Sequence, residues 1–311
     1  MPEPSATDTV TAGNAESADP PSPVVNLSGY RFVALETLPE RRERLERALG
    51  ESGVLGTVLL AAEGVNVALA GSVAACARAR TVLDADPPLA GLRLKESRSA
   101  AVPFARLKVR LRDEIIAFDG AEAVARQAAR PTAPALSPET LARWLEEGRD
   151  VTLLDTRNAY EVASGTFVGA VALDIASFRD FGEAARAAVA DGRLDPERPV
   201  VTFCTGGVRC EKAAPWLLEH GFREVWQIDG GVLGWFERLG GARWEGDCFV
   251  FDDRVEISPA LAPTGAALCG RCQRAVPAGR DCPCADGGDP GTGSPGCDGT
   301  AETVRVRARP S

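Results

Sequence analysis

Two rhythms of apolar and polar residues divide the chain. Tyr30-Arg31-Phe32-Val33-Ala34-Leu35 reads as a strand. Residues 39–51 then place Leu45 and Leu49 among charged neighbours, with Leu38 just before them, an amphipathic helix ending near Gly50 or Gly53. A strand over 56–61 follows, then a turn at Glu63-Gly64-Val65-Asn66 and a strand over 67–71. Ser72 is placed to cap a helix over 72–83, and 92–96 and 104–111 are further strands. The resulting β-α-β-β-α-β order is the split βαβ, ferredoxin-like arrangement, expected over residues 27–115.

After a linker expected over 116–136, which is Ala- and Pro-rich, the rhythm changes. Ser137 and Pro138 supply a cap and an N1 proline to a helix whose stripe is Leu141, Trp144 and Leu145. Short apolar runs at 151–155, 168–171, 199–203 and 225–228 read as strands. They alternate with helices over 181–190 and 210–219 and with one that starts at Gly230-Gly231 and runs through Trp235 and Phe236. Alternation of this kind predicts a parallel sheet with both faces covered, an α/β domain over 137–258. Residues 259–284 form a Cys-rich module, and residues 1–26 and 285–311, poor in large apolar side chains, are expected to be disordered tails.

Composition narrows the function. The chain has 311 residues, of which 45 % are hydrophobic, enough for two cores. With 35 Lys and Arg against 44 Asp and Glu, the net charge of −9 argues against capture of nucleic acid or anionic lipid by overall charge. A local basic face is still available. From Ser97 to Arg112 the chain carries Arg98, Arg106, Lys108, Arg110 and Arg112 and no acid, and the alternation at 106, 108, 110 and 112 puts four cations on one strand face. Such a face could bind phosphates or could simply protect a sheet edge.

No run of 18 apolar residues exists, so no membrane span is expected, and the opening residues lack the basic and apolar regions of a signal peptide. The expected setting is the cytoplasm, where the nine cysteines would be thiols or metal ligands. The single histidine, His220, precedes Gly221 at a helix end and is accounted for by the cap and the helix dipole. One histidine rules out a two-histidine metal site, and no Gly-x-Gly-x-x-Gly fingerprint of a dinucleotide cofactor is found.

The chemistry concentrates in Cys204-Thr205-Gly206-Gly207-Val208-Arg209-Cys210, between the end of a buried strand and the start of a helix. Small residues at 205–207 let successive amide N–H groups converge on the thiol, and the helix N-terminus adds to the same field. A cysteine there has a lowered pKa and can carry an anionic sulfur species. Arg209 could return its guanidinium to the rim. Cysteine phosphatases and sulfur-transfer enzymes both use such a cradle, although no Ser or Thr follows Arg209 to help a thiolate leave. Cys210 is either a resolving thiol or a packed helix residue. Asp155 and Arg157, at a strand end, suit a structural ion pair that holds the loops better than direct chemistry.

The stretch Leu153-Leu154-Asp155-Thr156-Arg157-Asn158-Ala159-Tyr160-Glu161-Val162 resembles the first strand and turn of rhodanese domains, and 203–213 resembles their active loop. More narrowly, with Glu63-Gly64-Val65-Asn66, Arg106-Leu107-Lys108-Val109, Ser177-Phe178-Arg179 and Gly246-Asp247-Cys248-Phe249-Val250-Phe251-Asp252, the chain resembles the rhodanese-like tRNA uridine hydroxylases over about residues 28–284. That resemblance implies a ferredoxin-like domain followed by a rhodanese-like catalytic domain. It implies an oxidoreductase that makes 5-hydroxyuridine at the wobble position of tRNA, with dioxygen as co-substrate, no organic cofactor and the tRNA anticodon region as partner. Cys204 matches the family's active cysteine, and Arg209 and Cys210 match neighbouring motif positions. Arg98, Arg106, Lys108, Arg110 and Arg112 become candidates for tRNA contact. A plain sulfurtransferase and a non-catalytic RNA or protein interaction module are the alternatives. In the tail, Cys269, Cys272, Cys282 and Cys284 could hold one structural zinc, although Cys-x-Cys is a short span and Cys297 could substitute.

Overall fold

The computed structural model describes residues 23–120, 133–272, 274–282 and 284. The first unit runs β1 (Val24–Phe32), α1 (Leu38–Ser52), β2 (Leu55–Ala61), β3 (Gly64–Gly71), α2 (Val73–Asp84), β4 (Lys95–Ser99) and β5 (Leu107–Leu111). The strands lie in the order β4-β1-β3-β2-β5, antiparallel except for the parallel pair β2 and β5. Period-two alternation turns Val25, Leu27, Val58, Leu60, Val65, Val67, Leu69 and Val109 toward Leu45, Leu49, Ala79 and Leu83 of the two helices. Each such side chain contributes about 1.5–3 kcal/mol by leaving water. Ser72 caps α2 by accepting from the Ala75 N–H at 3.2 Å. The opposite face of the sheet carries none of the first unit's described helices. On it stand Tyr30, Asn66, Lys95 and Lys108, as the pairings Tyr30 with Asn66, Ser28 with Lys95 and Thr57 with Lys108 require.

The second unit continues with β6 (Ala135–Leu136), α3 (Pro138–Glu146), β7 (Thr152–Asp155), α4 (Ala159–Val162), β8 (Gly165–Phe167), β9 (Val171–Ala172), α5 (Phe181–Ala190), β10 (Val200–Phe203), α6 (Cys210–Glu219), β11 (Val225–Ile228) and α7 (Gly231–Leu239). Its sheet, β6-β11-β10-β7-β9, is parallel throughout. On one face Phe181, Ala185, Ala213 and Leu217 pack against Leu154, Val200 and Val225. On the other, Leu141, Trp235 and Phe236 pack against Leu153, Val201 and Phe203. Burial on both faces is why these strands read as unbroken apolar runs. Three short antiparallel pairings complete the chain: β12 (Trp244–Gly246) with the distant β8, β13 (Cys248–Phe249) with β14 (Glu256–Ile257), and β15 (Ala267–Leu268) with β16 (Ala275–Val276).

Several expectations are corrected. Strand β1 starts at Val24, so residues 24–26, expected in the tail, are sheet; Val25 and Leu27 enter the core while Asn26 and Ser28 point away. Gly64 to Asn66 open β3 rather than a turn, and β4 occupies 95–99 instead of 92–96. In the expected linker, Ala135–Leu136 pair with β11, and Phe118 stacks on Phe178 with ring centroids 4.9 Å apart. The expected strand at 168–171 is split: Phe167 ends β8, Gly169 turns the chain at φ +77°, and Val171 starts β9. The remainder of the linker, 121–132, and the tails at 1–22 and 285–311 lie outside the described residues. Among the described residues no helix is long and apolar enough to cross a membrane.

Candidate active site

Cys204 lies at the carboxyl end of β10, the strand between β7 and β11, and its side chain is fully buried. The loop from 205 to 209 curls back over it, and the Gly207 N–H donates to its Sγ at 3.1 Å. Gly207 adopts φ +105°, a conformation that glycine reaches without a Cβ penalty. Burial alone would raise the Cys204 pKa. The Cys210 thiol, the Arg209 charge and the backbone N–H groups of Arg209 and Gly207 outweigh it and bring the thiol down to about 5. Cys210 moves the other way, well above the usual thiol range, because it is buried and faces the Cys204 sulfur. The loop therefore holds one thiolate, with a protonated Cys210 as donor.

Arg209 does not swing out to the rim. Its guanidinium is clamped by the buried Glu161 carboxylate at 2.5 and 2.7 Å. Glu161 is itself fixed as the N3 residue of the α4 capping box, where it accepts from the Asn158 N–H at 3.2 Å. Asp155 and Arg157 form a wholly buried pair, Nη2 to Oδ2 at 2.6 Å. Arg157 also donates to the Gly165 carbonyl at 2.6 Å, and Thr166 Oγ1 donates to Asp155 at 2.8 Å. This pair ties β7 to β8. Thr205, Gly206 and Val208 contribute backbone to the loop; the Thr205 carbonyl accepts from Leu233 N–H, docking the loop on α7. Four residues stand between Cys204 and Arg209, one fewer than the Cys-x5-Arg loop of the phosphatases requires.

Part of the cup's surround comes from the first unit, which motif reading missed. The Tyr30 hydroxyl donates to Glu211 Oε1 at 3.1 Å and lies so close to Gly207 that a Cβ there would come within 2.8 Å of it. Lys95 Nζ donates to the Gly206 carbonyl at 3.3 Å and to the Gly230 carbonyl, and burial pulls its pKa down to about 8. Arg93 pairs with Asp229 at 3.1 Å. Lys212, two residues into α6, is wholly buried, with its ammonium 2.8 Å from Glu63 and 2.6 Å from Glu114. In sequence Glu211 and Lys212 look like an ordinary exposed first turn; the available hint was period-two alternation, which puts Tyr30 and Lys95 on the face without helices.

The structure separates the five candidate cations. Arg106, Arg110 and Arg112 are exposed and Lys108 is half-buried along edge strand β5 and its ends, and none makes an ion pair with another described residue. Arg98 is elsewhere. It lies on the opposite edge, pairs in register with core-facing Val25 and is bound to Glu96 at 3.1 Å. In the tail, the Sγ atoms of Cys269, Cys272, Cys282 and Cys284 all lie within 4.8 Å of one another. Cys297 is outside the described residues. His220 stacks on Trp216 at 3.6 Å, with Nδ1 2.8 Å from the Trp216 carbonyl.

Sheet and loop together define a rhodanese-type α/β domain built around one ionised cysteine, joined to an acylphosphatase-like partner domain. Residues 137–238 match the rhodanese-like domain family and residues 24–115 the UPF0176 acylphosphatase like domain. A protein named tRNA uridine(34) hydroxylase from Bordetella petrii is 49 % identical over 248 residues, covering 78 % of this chain and 96 % of that one. Proteins of the same name from Cupriavidus taiwanensis (46 %, covering 81 % and 89 %) and Burkholderia pseudomallei (40 %, covering 91 % and 99 %) are similar. The chain belongs to the tRNA uridine(34) hydroxylase family.

Proposed function

We propose that this protein hydroxylates the wobble uridine of tRNA to 5-hydroxyuridine in the cytoplasm, with Cys204 as the catalytic residue. The observation that carries the proposal is the thiolate cup. Cys204 receives the Gly207 N–H at 3.1 Å beside the clamped Arg209, and the first unit's sheet is tied to the same loop by Lys95 and to the helix that follows it by Tyr30. A base flipped out of the anticodon loop would be presented to this sulfur. Arg106, Lys108, Arg110 and Arg112 would track the phosphate backbone. Arg98, bound on the helix-bearing face, has no part in that contact. With dioxygen as the source, one oxygen atom enters the base at C5. The other leaves as water, taking two protons and two electrons from a thiol-class reductant. Asp155 and Arg157 act as positioning residues, holding β8 and the α4 turn that clamps Arg209.

The four tail thiols would hold a structural zinc. Tetrahedral ligands at about 2.3 Å from zinc stand roughly 3.8 Å apart, and the pairs Cys269 with Cys284 and Cys272 with Cys282 are 3.5 and 3.4 Å apart. Elemental analysis finding one zinc per chain, lost in Cys282→Ser, tests this. The activity is tested by nucleoside mass spectrometry of tRNA incubated in air with the protein and a thiol reductant. One added oxygen on the anticodon uridine, absent with Cys204→Ala, is expected. No added oxygen with folded protein and competent tRNA would move the reading to sulfur transfer.

A further inference from the structure

Among the described residues, the most exposed large apolar side chain stands beside the reactive loop. Phe251 is 64 % exposed, whereas its neighbours Phe249 and Val250 are buried. Its ring faces the Arg209 guanidinium, with Cζ 6.0 Å from the centroid. Below it Phe249 makes an edge contact at 5.4 Å, and Phe249 rests in turn on Tyr160 at 5.2 Å. Tyr160 precedes Glu161, the clamp of Arg209, so the ring stack and the reactive loop share one support.

The turn that carries Phe251 is also fixed. Asp252 and Arg254 pair at 2.6 Å, Arg254 Nη1 donates to Ser97 Oγ at 2.9 Å, and the Asp253 N–H donates to the Pro103 carbonyl at 3.0 Å. These contacts anchor the turn to the first unit and leave the ring at the seam between the two units. Exposing an aromatic ring on a rigid turn forfeits the gain of burying it. A flat apolar ring, exposed on a rigid turn beside the loop that holds the Cys204 thiolate, matches what a single-stranded nucleobase requires of a stacking surface.

We propose that Phe251 is a stacking platform for an anticodon-loop base adjacent to the target uridine, holding the loop splayed while that uridine enters the Cys204 cup. This assignment deepens the hydroxylase reading and rests on it for the identity of the RNA. It makes Phe251 a positioning residue.

The test uses the full-length protein and an anticodon stem-loop RNA with 2-aminopurine on either side of the target uridine. Stacking on Phe251 quenches one of the two probes. Phe251→Ala is expected to abolish that quenching and to weaken binding by about 5- to 150-fold, the range for loss of one base–aromatic stack. Phe251→Trp restores both and Phe251→Leu does not, whereas a merely structural apolar contact would be restored by leucine. The thermal midpoints of all three variants stay within about 2 °C of the parent's, since the ring is 64 % exposed and its replacement costs within about 0.5 kcal/mol. Quenching and binding in Phe251→Ala equal to those of the parent would overturn the proposal, as would rescue by Leu. If the parent quenches the probe through Phe251 but adds no oxygen, the platform stands and the hydroxylase reading falls. If the parent hydroxylates with neither probe quenched, the reverse holds.

Discussion

Lys212→Met removes the ammonium on which the two units converge, and its cost follows from the partners left behind. Lys212 is wholly buried between Glu63 at 2.8 Å and Glu114 at 2.6 Å. Removing one member of a buried ion pair costs about 3–5 kcal/mol, because the remaining charge is uncompensated. Here the two carboxylates fare differently. Glu114 still accepts from the N–H groups of Phe118, Asp119 and Gly120 at 2.8–3.0 Å, whereas Glu63 keeps only the Ile115 N–H at 2.8 Å. The loss therefore falls near the lower figure and is carried by Glu63. At about 2–4 °C per kcal/mol for a chain of this size, the thermal midpoint should drop by about 6–12 °C at neutral pH. Burial already holds Glu63 above the ordinary carboxylate range, despite the Lys212 hydrogen bond, and losing that bond raises it further. A carboxyl raised in the folded state takes up a proton that the unfolded chain does not. Stability is then lost as pH rises through that window, and the variant's deficit shrinks toward about pH 5. Scanning calorimetry of parent and variant at neutral pH and near pH 5 measures both quantities. A midpoint within about 2 °C of the parent, or an equal deficit at both pH values, would refute the reasoning.

Three further outcomes follow from the same geometry. Turnover should fall with acid around pH 5 as the Cys204 thiolate is protonated; Arg209→Met, which removes a charge that lowers that pKa, should move the limb upward by about one unit, some 1.4 kcal/mol, and an unmoved limb in a pH–rate profile tells against it. Gly207→Ala forces a side chain into φ +105° and to 2.8 Å from the Tyr30 hydroxyl; turnover should fall about five- to thirtyfold, from roughly 1–2 kcal/mol of strain at the loop, and parent-like kinetics would show that the loop does not need this turn. Replacing Arg106, Lys108, Arg110 and Arg112 together by serine should flatten the salt dependence of tRNA binding by about three counterions, at 0.7–0.9 per phosphate contact; an unchanged slope in a filter-binding titration would remove β5 from the interface.

What could be read along the chain and what could not differ in the range of the interactions involved. Helices α5 and α6 and strand β11 stand where periodicity puts them, because their apolar faces are complete and Pro199 and Gly221 break the chain between them. The cysteine loop was legible because its donors are consecutive residues. Strand β1 was cut short because Val24 to Gly29 follows a Pro- and Ser-rich stretch and offers only two core contacts, Val25 and Leu27, to mark the alternation. The split at β8 and β9 was hidden because one glycine turn divides a single apolar run. Tyr30, Lys95, Glu63, Glu114 and Lys212 were out of reach for a different reason. A polar side chain buried at the seam of two units has the same local signature as one in solvent, and only the tertiary pairing distinguishes them. Arg98 shows the converse: five cations close in sequence were split between two sheet edges by a topology that spacing does not encode.

Lys95 gives the reactive loop a direction. By taking up the Gly206 and Gly230 carbonyls from outside, its ammonium keeps those oxygens from turning inward, while the Gly207 N–H faces the sulfur. The Gly206 carbonyl and the Gly207 N–H are the two ends of one peptide dipole, positive toward the sulfur. Such a lining is a rectifier for charge: negative sulfur or oxygen species are retained, and cations meet an unfavourable field before they reach the thiolate. Because the rectifying charge belongs to the first unit, the isolated rhodanese-type unit would keep its cysteine and lose this polarity.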